Sequence, residues 1–268
     1  MAPIKSSLVR TVGKLFGISK DTDLSLRGDL QLTRRISIPP VEASGGTEIT
    51  SGNTKFHVFL GSSEQDFSVT TSGACEVLVV AGGGSGGYFY GCGGGAGGIV
   101  HAPEFPVEAG VTYKVSAGDG ADARPSSSGV GNNGNPSYFK PSPAPAAPSA
   151  TNLFAMKGGG GGYSGDPEQW MVPFLPEVGS TGGQVSPSDT SYRTPGFPGS
   201  TQHPTGLKYS NIGSADLPNT RGGGGGGAGG GGGPNQDGSI TTPAAPGGAG
   251  RAFPSFPAPV LAPAIPSP

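Results

Sequence analysis

The sequence is poor in charge, in cysteine and in long hydrophobic segments. Only 13% of its residues are charged, about half the usual fraction, and the formal net charge is −2. It contains 2 cysteines, Cys75 and Cys92, in no CxxC pair, and its 3 histidines lie far apart. This spacing excludes a zinc site and a disulfide scaffold, and leaves a single Cys75–Cys92 bond open. No apolar run approaches the roughly 18 residues that cross a bilayer, and the N-terminus has no secretory signal.

Catalytic patterns are also missing. There is no Ser/His/Asp arrangement, and the carboxylates along the middle of the chain are too scattered to form an acid–base pair. The run VLVVA precedes Gly82, Gly84 and Gly87 in dinucleotide-binding spacing, but Gly91–Gly98 follows closely, where no helix can begin to hold a pyrophosphate. We therefore expect no enzyme, no cofactor, no metal site and no nucleic-acid partner.

Glycine and proline are abundant instead. The chain has 53 glycines and 28 prolines, together roughly 30% of its residues. About 30 of the glycines fall in five blocks: Gly82–Gly87, Gly91–Gly98, Gly158–Gly162, Gly222–Gly233 and Gly247–Gly250. Such blocks form either a flexible tether or extended three-residue helices that bond sideways to one another, because bare backbones approach closely. The recurrence of the blocks favours a packed layer.

Strand-like runs occur between residues 50 and 120. CEVLVVA reads as a buried strand, VTYKV alternates strictly, and glycines punctuate both runs. We predict a mainly β fold: a small antiparallel β-sandwich with a glycine-rich, polyglycine or polyproline II-like layer, irregular loops and a short N-terminal helix. The predicted divisions are an N-terminal segment (1–45), the β-sandwich (50–139), the glycine layer with exposed loops (140–250) and a Pro-rich tail (251–268).

The N-terminal segment concentrates the basic charge. Seven of the 16 basic residues lie between positions 4 and 35. One apolar stripe at helical spacing accompanies them: Ile4, Leu8, Val12, Leu15 and Phe16. An organelle presequence, a membrane-surface helix and an anchor to a larger assembly all fit this pattern. We predict the anchor, because residues 21–35 are not typical of a presequence.

The order and spacing of several motifs carry a family resemblance. CEVLVVAGGGSGG, GGGAGGIV, GNNGNPSYF and RGGGGGGAGGGGG follow one another, and the likeness extends from about residue 67 to 250. Together they resemble the glycine-rich domain of bacteriophage virion proteins, particularly tail fibres, and are similar in style to the polyglycine-helix tip adhesins of T-even-like phages. The resemblance implies a virion structural protein, exposed on the particle, that acts as a tail-fibre or receptor-binding component. The alternative is a capsid decoration or cement protein.

The adhesin resemblance implies that host contact falls to the segments between the glycine blocks. Candidates are aromatic residues and a methionine in otherwise polar stretches: Tyr163, Trp170, Met171, Phe174, Tyr192, Phe197 and Tyr209. The alternative is that these side chains pin their loops onto the glycine layer. The expected partners are other virion proteins through the N-terminal segment, a host glycan or protein, and further copies of the chain, with no membrane insertion.

Overall fold

The computed structural model of the protein describes residues 40–87, 91–123, 131–143, 152–155, 157–158, 180, 207–209, 224–230, 232 and 246–265. The chain divides into two units, Met1–Ile38 and Pro39–Pro268, and all described residues belong to the second. The stripe Ile4, Leu8, Val12, Leu15 and Phe16 lies outside the described residues.

The described part is mainly β, and every strand pairing is antiparallel. Strands form at the alternating and buried-strand runs of the sequence, so this level of the prediction is confirmed. The strands are β1 (Glu42–Ser44), β2 (Thr47–Ser51), β3 (Thr54–Val58), β4 (Gln65–Thr71), β5 (Gly73–Val80), β6 (Ile99–Val107), β7 (Thr112–Ser116), β8 (Ser137–Ser142), β9 (Leu153–Ala155) and β10 (Leu207–Tyr209).

The strands make three sheets. A five-stranded sheet has the order β1-β4-β7-β8-β9, a three-stranded sheet has the order β10-β6-β5, and β2 and β3 form a hairpin. Both larger sheets contribute to one hydrophobic cluster, which contains Phe67, Val100, Phe105, Phe139 and Leu153. At its centre the rings of Tyr113 and Phe139 stack 4.9 Å apart, and Phe105 meets Phe139 edge-on at 5.4 Å. Burial of these side chains is the main source of stability.

A β-bulge keeps β6 facing this core along its whole length. Val77 pairs with Ala102 and Cys75 pairs with Phe105, so Pro103 and Glu104 together oppose Glu76. The extra residue resets the alternation, and Ala102 and Phe105 are both buried. Pro103 lies beyond the stretch of β6 that pairs with β10, where a missing backbone N–H does not interrupt that pairing.

The helical part of the described chain lies near the C-terminus, and the short N-terminal helix predicted from the sequence falls on residues outside the described part. An α-helical turn spans Ala258–Leu261 and a 3-10 turn follows at Ala262–Ala264. Pro259 and Pro263 are the second residues of these turns, where a backbone N–H has no partner within the turn and its absence is tolerated. Among the described residues, no helix has the length and hydropathy needed to cross a membrane.

Candidate functional site: the glycine segments and an aromatic cluster

The glycine segments leave the sheets at one end. Residues 81–87 continue from β5, residues 91–98 lead into β6, and residues 131–136 lead into β8. Val80 pairs with Ile99 at this end, and Ser116 pairs with Tyr138. Antiparallel pairing therefore places residues 81–87 beside residues 91–98, and a backbone hydrogen bond from Gly82 to Asn135 brings residues 131–136 to the same end.

Residues 81–87 bond to residues 92–98 at every third position. The backbone N–H of Ala81 donates to Gly98 O at 3.0 Å, that of Gly84 to Gly95 O at 2.9 Å, and that of Gly87 to Cys92 O at 2.9 Å. A β ladder would repeat every two residues, and this pattern repeats every three. Three residues per turn is the period of a polyproline II helix, which has no internal hydrogen bonds.

A second side of residues 81–87 bonds to another segment with the same period. Gly82 N donates to Asn135 O at 2.9 Å, and Ser85 N donates to Asn132 O at 2.9 Å. On the acceptor side, Gly82 O receives the N–H of Gly158 at 2.8 Å. Residues 81–87 therefore have neighbouring segments on more than one side. Their backbone N–H and C=O groups form hydrogen bonds with those segments.

The later glycine blocks extend this arrangement. Ala96 N donates to Gly226 O at 2.9 Å, Gly248 N donates to Gly225 O at 2.8 Å, and Gly229 N donates to Ala249 O at 2.8 Å. Residues 224–230 thus lie between residues 91–98 and residues 246–250. Blocks that are far apart in sequence are neighbours in space.

Close approach of the backbones explains why these residues are glycine. A methyl group at Gly97 would overlap the carbonyl oxygen of Ala81, one at Gly94 would overlap that of Gly84, and one at Gly225 would overlap that of Gly94. Gly94 and Gly97 are again three residues apart. At Gly250 a methyl group would meet nothing, so the requirement depends on position.

Ser137 joins the glycine segments to both sheets. Its side chain is 1% exposed, its Oγ donates to Val80 O at 2.7 Å, and it accepts the N–H of Gly118 at 2.8 Å. Val80 ends β5 in the three-stranded sheet, and Ser137 begins β8 in the five-stranded sheet. The Ser137 hydroxyl therefore links the end of β5 to the start of β8, where each sheet adjoins a glycine segment.

Tyr209 is the one predicted host-contact residue that the described part of the chain includes. It ends β10, and its ring lies 5.5 Å from that of Phe253 and 4.0 Å from the guanidinium carbon of Arg251. Both contacts are with the tail, so they test neither host contact nor the alternative in which these side chains pin their loops onto the glycine layer. The other six candidates, Tyr163, Trp170, Met171, Phe174, Tyr192 and Phe197, lie outside the described residues.

The tail supplies the aromatic cluster around Tyr209. Phe253 lies 5.3 Å from the His101 ring, and Phe256 lies 6.3 Å from His101 and 6.4 Å from Phe56. Glu76 Oε1 holds His101 Nε2 at 2.7 Å. The sequence reading missed this cluster, because the proline-rich composition of residues 251–268 favoured an extended tail. The repeated Phe-Pro pair, Phe253-Pro254 and Phe256-Pro257, is the signal that marks it.

The outer face of the five-stranded sheet carries a charged network. Glu64 accepts the hydroxyl of Tyr138 at 2.7 Å and lies 3.5 Å from Lys140 Nζ. Lys114 Nζ lies 2.6 Å from Asp66 Oδ1. The Tyr138 hydroxyl, followed by the nearby lysines, holds the pKa of Glu64 below its usual value. Glu64, Asp66, Lys114 and Lys140 each lie beside an opposite charge.

Metal and cysteine chemistry have no assembled site in the part of the chain that the structure describes. No group of three His, Cys, Asp or Glu side chains converges there. No disulfide links Cys75 and Cys92, so the bond left open by the sequence is not formed. Burial raises the pKa of the Cys75 thiol to about 11, which makes it a poor nucleophile.

Comparison with known proteins agrees with the glycine pattern. Residues 61–257, about three quarters of the chain, match the glycine-rich domain family. Searches of curated proteins and of solved structures returned no match. The matched range begins just before β4, includes every described glycine segment and ends within the tail. The chain therefore belongs to the glycine-rich domain family.

Proposed function

We propose that the protein is a structural, non-enzymatic component of a bacteriophage particle, displayed on the virion surface as a tail-fibre or receptor-binding protein. The three-residue spacing of the lateral hydrogen bonds carries this proposal. A surface-binding protein needs a rigid support for irregular recognition segments, and a bonded backbone array provides one without side-chain packing.

The proposed support is a polyglycine layer of polyproline II-like helices on a β-sandwich. The contribution of two sheets to one core favours the sandwich. The bonds between residues 81–87, 91–98 and 224–230 favour the layer. Glycine loses much conformational entropy when it is ordered, so single runs stay flexible, and several runs together offset that cost through mutual hydrogen bonds.

The recognition surface in this proposal is the chain between Gly158 and Gly224. Both ends of that segment are near the glycine array, since Gly158 bonds to Gly82 and residues 225 and 226 bond to neighbouring runs. We assign contact with a host glycan or protein to Tyr163, Trp170 and the other candidates between these ends. Tyr209 has a positioning role, because its ring contacts Arg251 and Phe253.

We assign attachment to the particle to residues 4–16 and propose that the protein is displayed as a homo-oligomer. The proposed protein-facing stripe, Ile4, Leu8, Val12, Leu15 and Phe16, would insert into another virion protein. Nucleic acid is not a proposed partner, because the formal net charge is −2.

Localisation tests the proposal most directly. Mass spectrometry of purified particles is expected to detect the protein, and labelled antibody is expected to mark tail fibres in electron micrographs. Label on the head would replace the fibre assignment with the capsid decoration role, and absence from particles would overturn both. A chain lacking residues 4–16 is expected to fold and to be lost from particles, whereas its normal incorporation would refute the anchor.

A further inference from the structure

The outer face of the three-stranded sheet carries apolar side chains beside the hydrogen-bonded pair Glu76 and His101. Val79 and Val100 point into the core, so their neighbours Val80 and Ile99 point outward. Ile99 is nonetheless 9% exposed, while Val80 is 48% exposed. Part of this face is therefore shielded from solvent, whereas the adjoining Val80 side chain is exposed.

The chain's own tail packs against His101 and Tyr209 and forms a turn there. Phe256 N donates to Phe253 O at 2.9 Å, and Pro254 occupies the second position of the turn. Proline is favoured at that position because its φ is already fixed. The turn brings the two phenylalanine rings toward the same group of aromatic side chains, His101 lying within reach of both.

We propose that this face is a binding site for a Phe-Pro-x-Phe turn, occupied in a single chain by its own residues 251–257 and, in an assembly, by the same segment of a second copy. The site is formed by Phe56 of β3, His101 of β6 and Tyr209 of β10, and is called the turn site below. The turn site is proposed independently of the virion location given under Proposed function.

The contacts at the turn site define the ligand chemistry. Phe253 packs edge-on against His101 and Tyr209, and Phe256 packs edge-on against Phe56, a geometry that aromatic pairs favour. Two aromatic side chains at this spacing are thus required of any ligand. A proline between them keeps the turn formed before binding and reduces the entropy lost.

Three features favour exchange with a second copy. The helical turn after the segment, Ala258–Leu261, buries no residue, so the side chains of Arg251, Phe253 and Phe256 make the main contacts of the tail. Gly250 precedes the segment and has open space around it, as a hinge requires. Exchange between copies recreates the same contacts, so the free energy of the site is largely conserved.

The first experiment measures ligand binding with the full-length chain. A fluorescent peptide of residues 251–265 is titrated with wild-type protein and with the double variant Phe253→Ala/Phe256→Ala. We expect the variant to bind the peptide at least about tenfold more tightly, because the tethered wild-type tail competes at a high effective concentration. The control variant Ile265→Ala, whose side chain is 47% exposed, is expected to behave as wild type.

Specificity and folding controls make the result decisive. A peptide with both phenylalanines replaced by alanine is expected not to bind, and Tyr209→Ala in the double variant is expected to weaken binding. A folded double variant that does not bind the peptide overturns the turn site. If the double variant does not fold, full-length chain cleaved between Gly250 and Arg251 replaces it, and failure of the labelled peptide to exchange into that chain overturns the site.

The second experiment tests the second copy as ligand. Donor- and acceptor-labelled wild-type proteins, with dyes on the tail and near β5 respectively, are mixed at increasing concentration. Energy transfer that grows with concentration and is lost in Phe253→Ala/Phe256→Ala supports exchange. Peptide binding without such transfer would retain the turn site and overturn the assignment of a second copy to it.

Discussion

The β core and the glycine segments are stabilised in opposite ways. Phe105 is 0% exposed and packs against Tyr113 and Phe139, so the core depends on side-chain volume. Gly97 and Gly225 lie where a methyl group would overlap a carbonyl oxygen, so the glycine segments depend on the absence of a side chain. Backbone hydrogen bonds join neighbouring β-strands in one region and segments with a three-residue repeat in the other.

This contrast separates two meanings of tight packing. In the core, removing atoms leaves a cavity and loses dispersion contacts. In the glycine segments, adding one carbon forces backbones apart and breaks the hydrogen bonds between them. We therefore expect the β core to be sensitive to substitutions that remove side-chain atoms. We expect the glycine segments to be sensitive to substitutions that add them.

The largest expected effect is in the core. Phe105→Ala should lower the free energy of unfolding by about 3–5 kcal/mol, because the ring is fully buried between aromatic neighbours. Denaturant unfolding followed by circular dichroism measures the change. Leu60→Ala is the matched control, since Leu60 is 43% exposed, and it should change stability by no more than about 0.5 kcal/mol. Equal losses in the two variants would contradict the packing of the core.

The next effect distinguishes two glycines in the glycine segments. Gly97→Ala should cost about 1–3 kcal/mol, because the new methyl group meets the Ala81 carbonyl. Gly250→Ala should leave stability unchanged or raise it by up to about 1 kcal/mol, since open space surrounds that position. The same unfolding experiment checks both. Similar tolerance at the two sites would show that these backbones are not closely packed.

A smaller loss is expected at the junction between the two regions. Ser137→Ala removes the hydroxyl that bonds Val80 O and Gly118 N, and should cost about 1–2 kcal/mol because both backbone groups lose their partner. Ser255→Ala, at an exposed position, serves as the control. Amide exchange of Gly118 should accelerate in Ser137→Ala alone, and unchanged protection would place the connection elsewhere.

The smallest effect concerns the charged outer face. The Tyr138 hydroxyl lowers the pKa of Glu64, so its contribution to stability is present above the ordinary value of 4.5 and is lost as the pH falls through the lowered pKa. Tyr138→Phe should raise the Glu64 titration midpoint toward that ordinary value, as measured by carboxyl NMR. Glu48 is the internal control, because Lys55 lowers its pKa independently. A Glu64 midpoint unmoved by Tyr138→Phe would contradict this hydrogen bond.

The sequence predicted a mainly β fold and located several strands, but it did not predict how the strands and the tail pack together. Alternation in Val111–Val115 and the run CEVLVVA located strands, because period-two patterns report a face that is buried. The bulge at Pro103 and Glu104 has no such signal, since it is defined only against the facing residue Glu76. The return of Phe253 and Phe256 to the sheet was missed for the same reason.

Local chemistry determined, from the sequence alone, where some strands form, among them β5 and β7, and where no side chain is present. Those properties depend on residue type and on neighbours along the chain. Tertiary structure decided which glycine segments become neighbours and at which positions glycine is required. Gly97 is closely packed and Gly250 is not, although both residues are glycine. Contacts between residues 81–87, 91–98 and 224–230 join distant parts of the chain, and no local pattern encodes such distances.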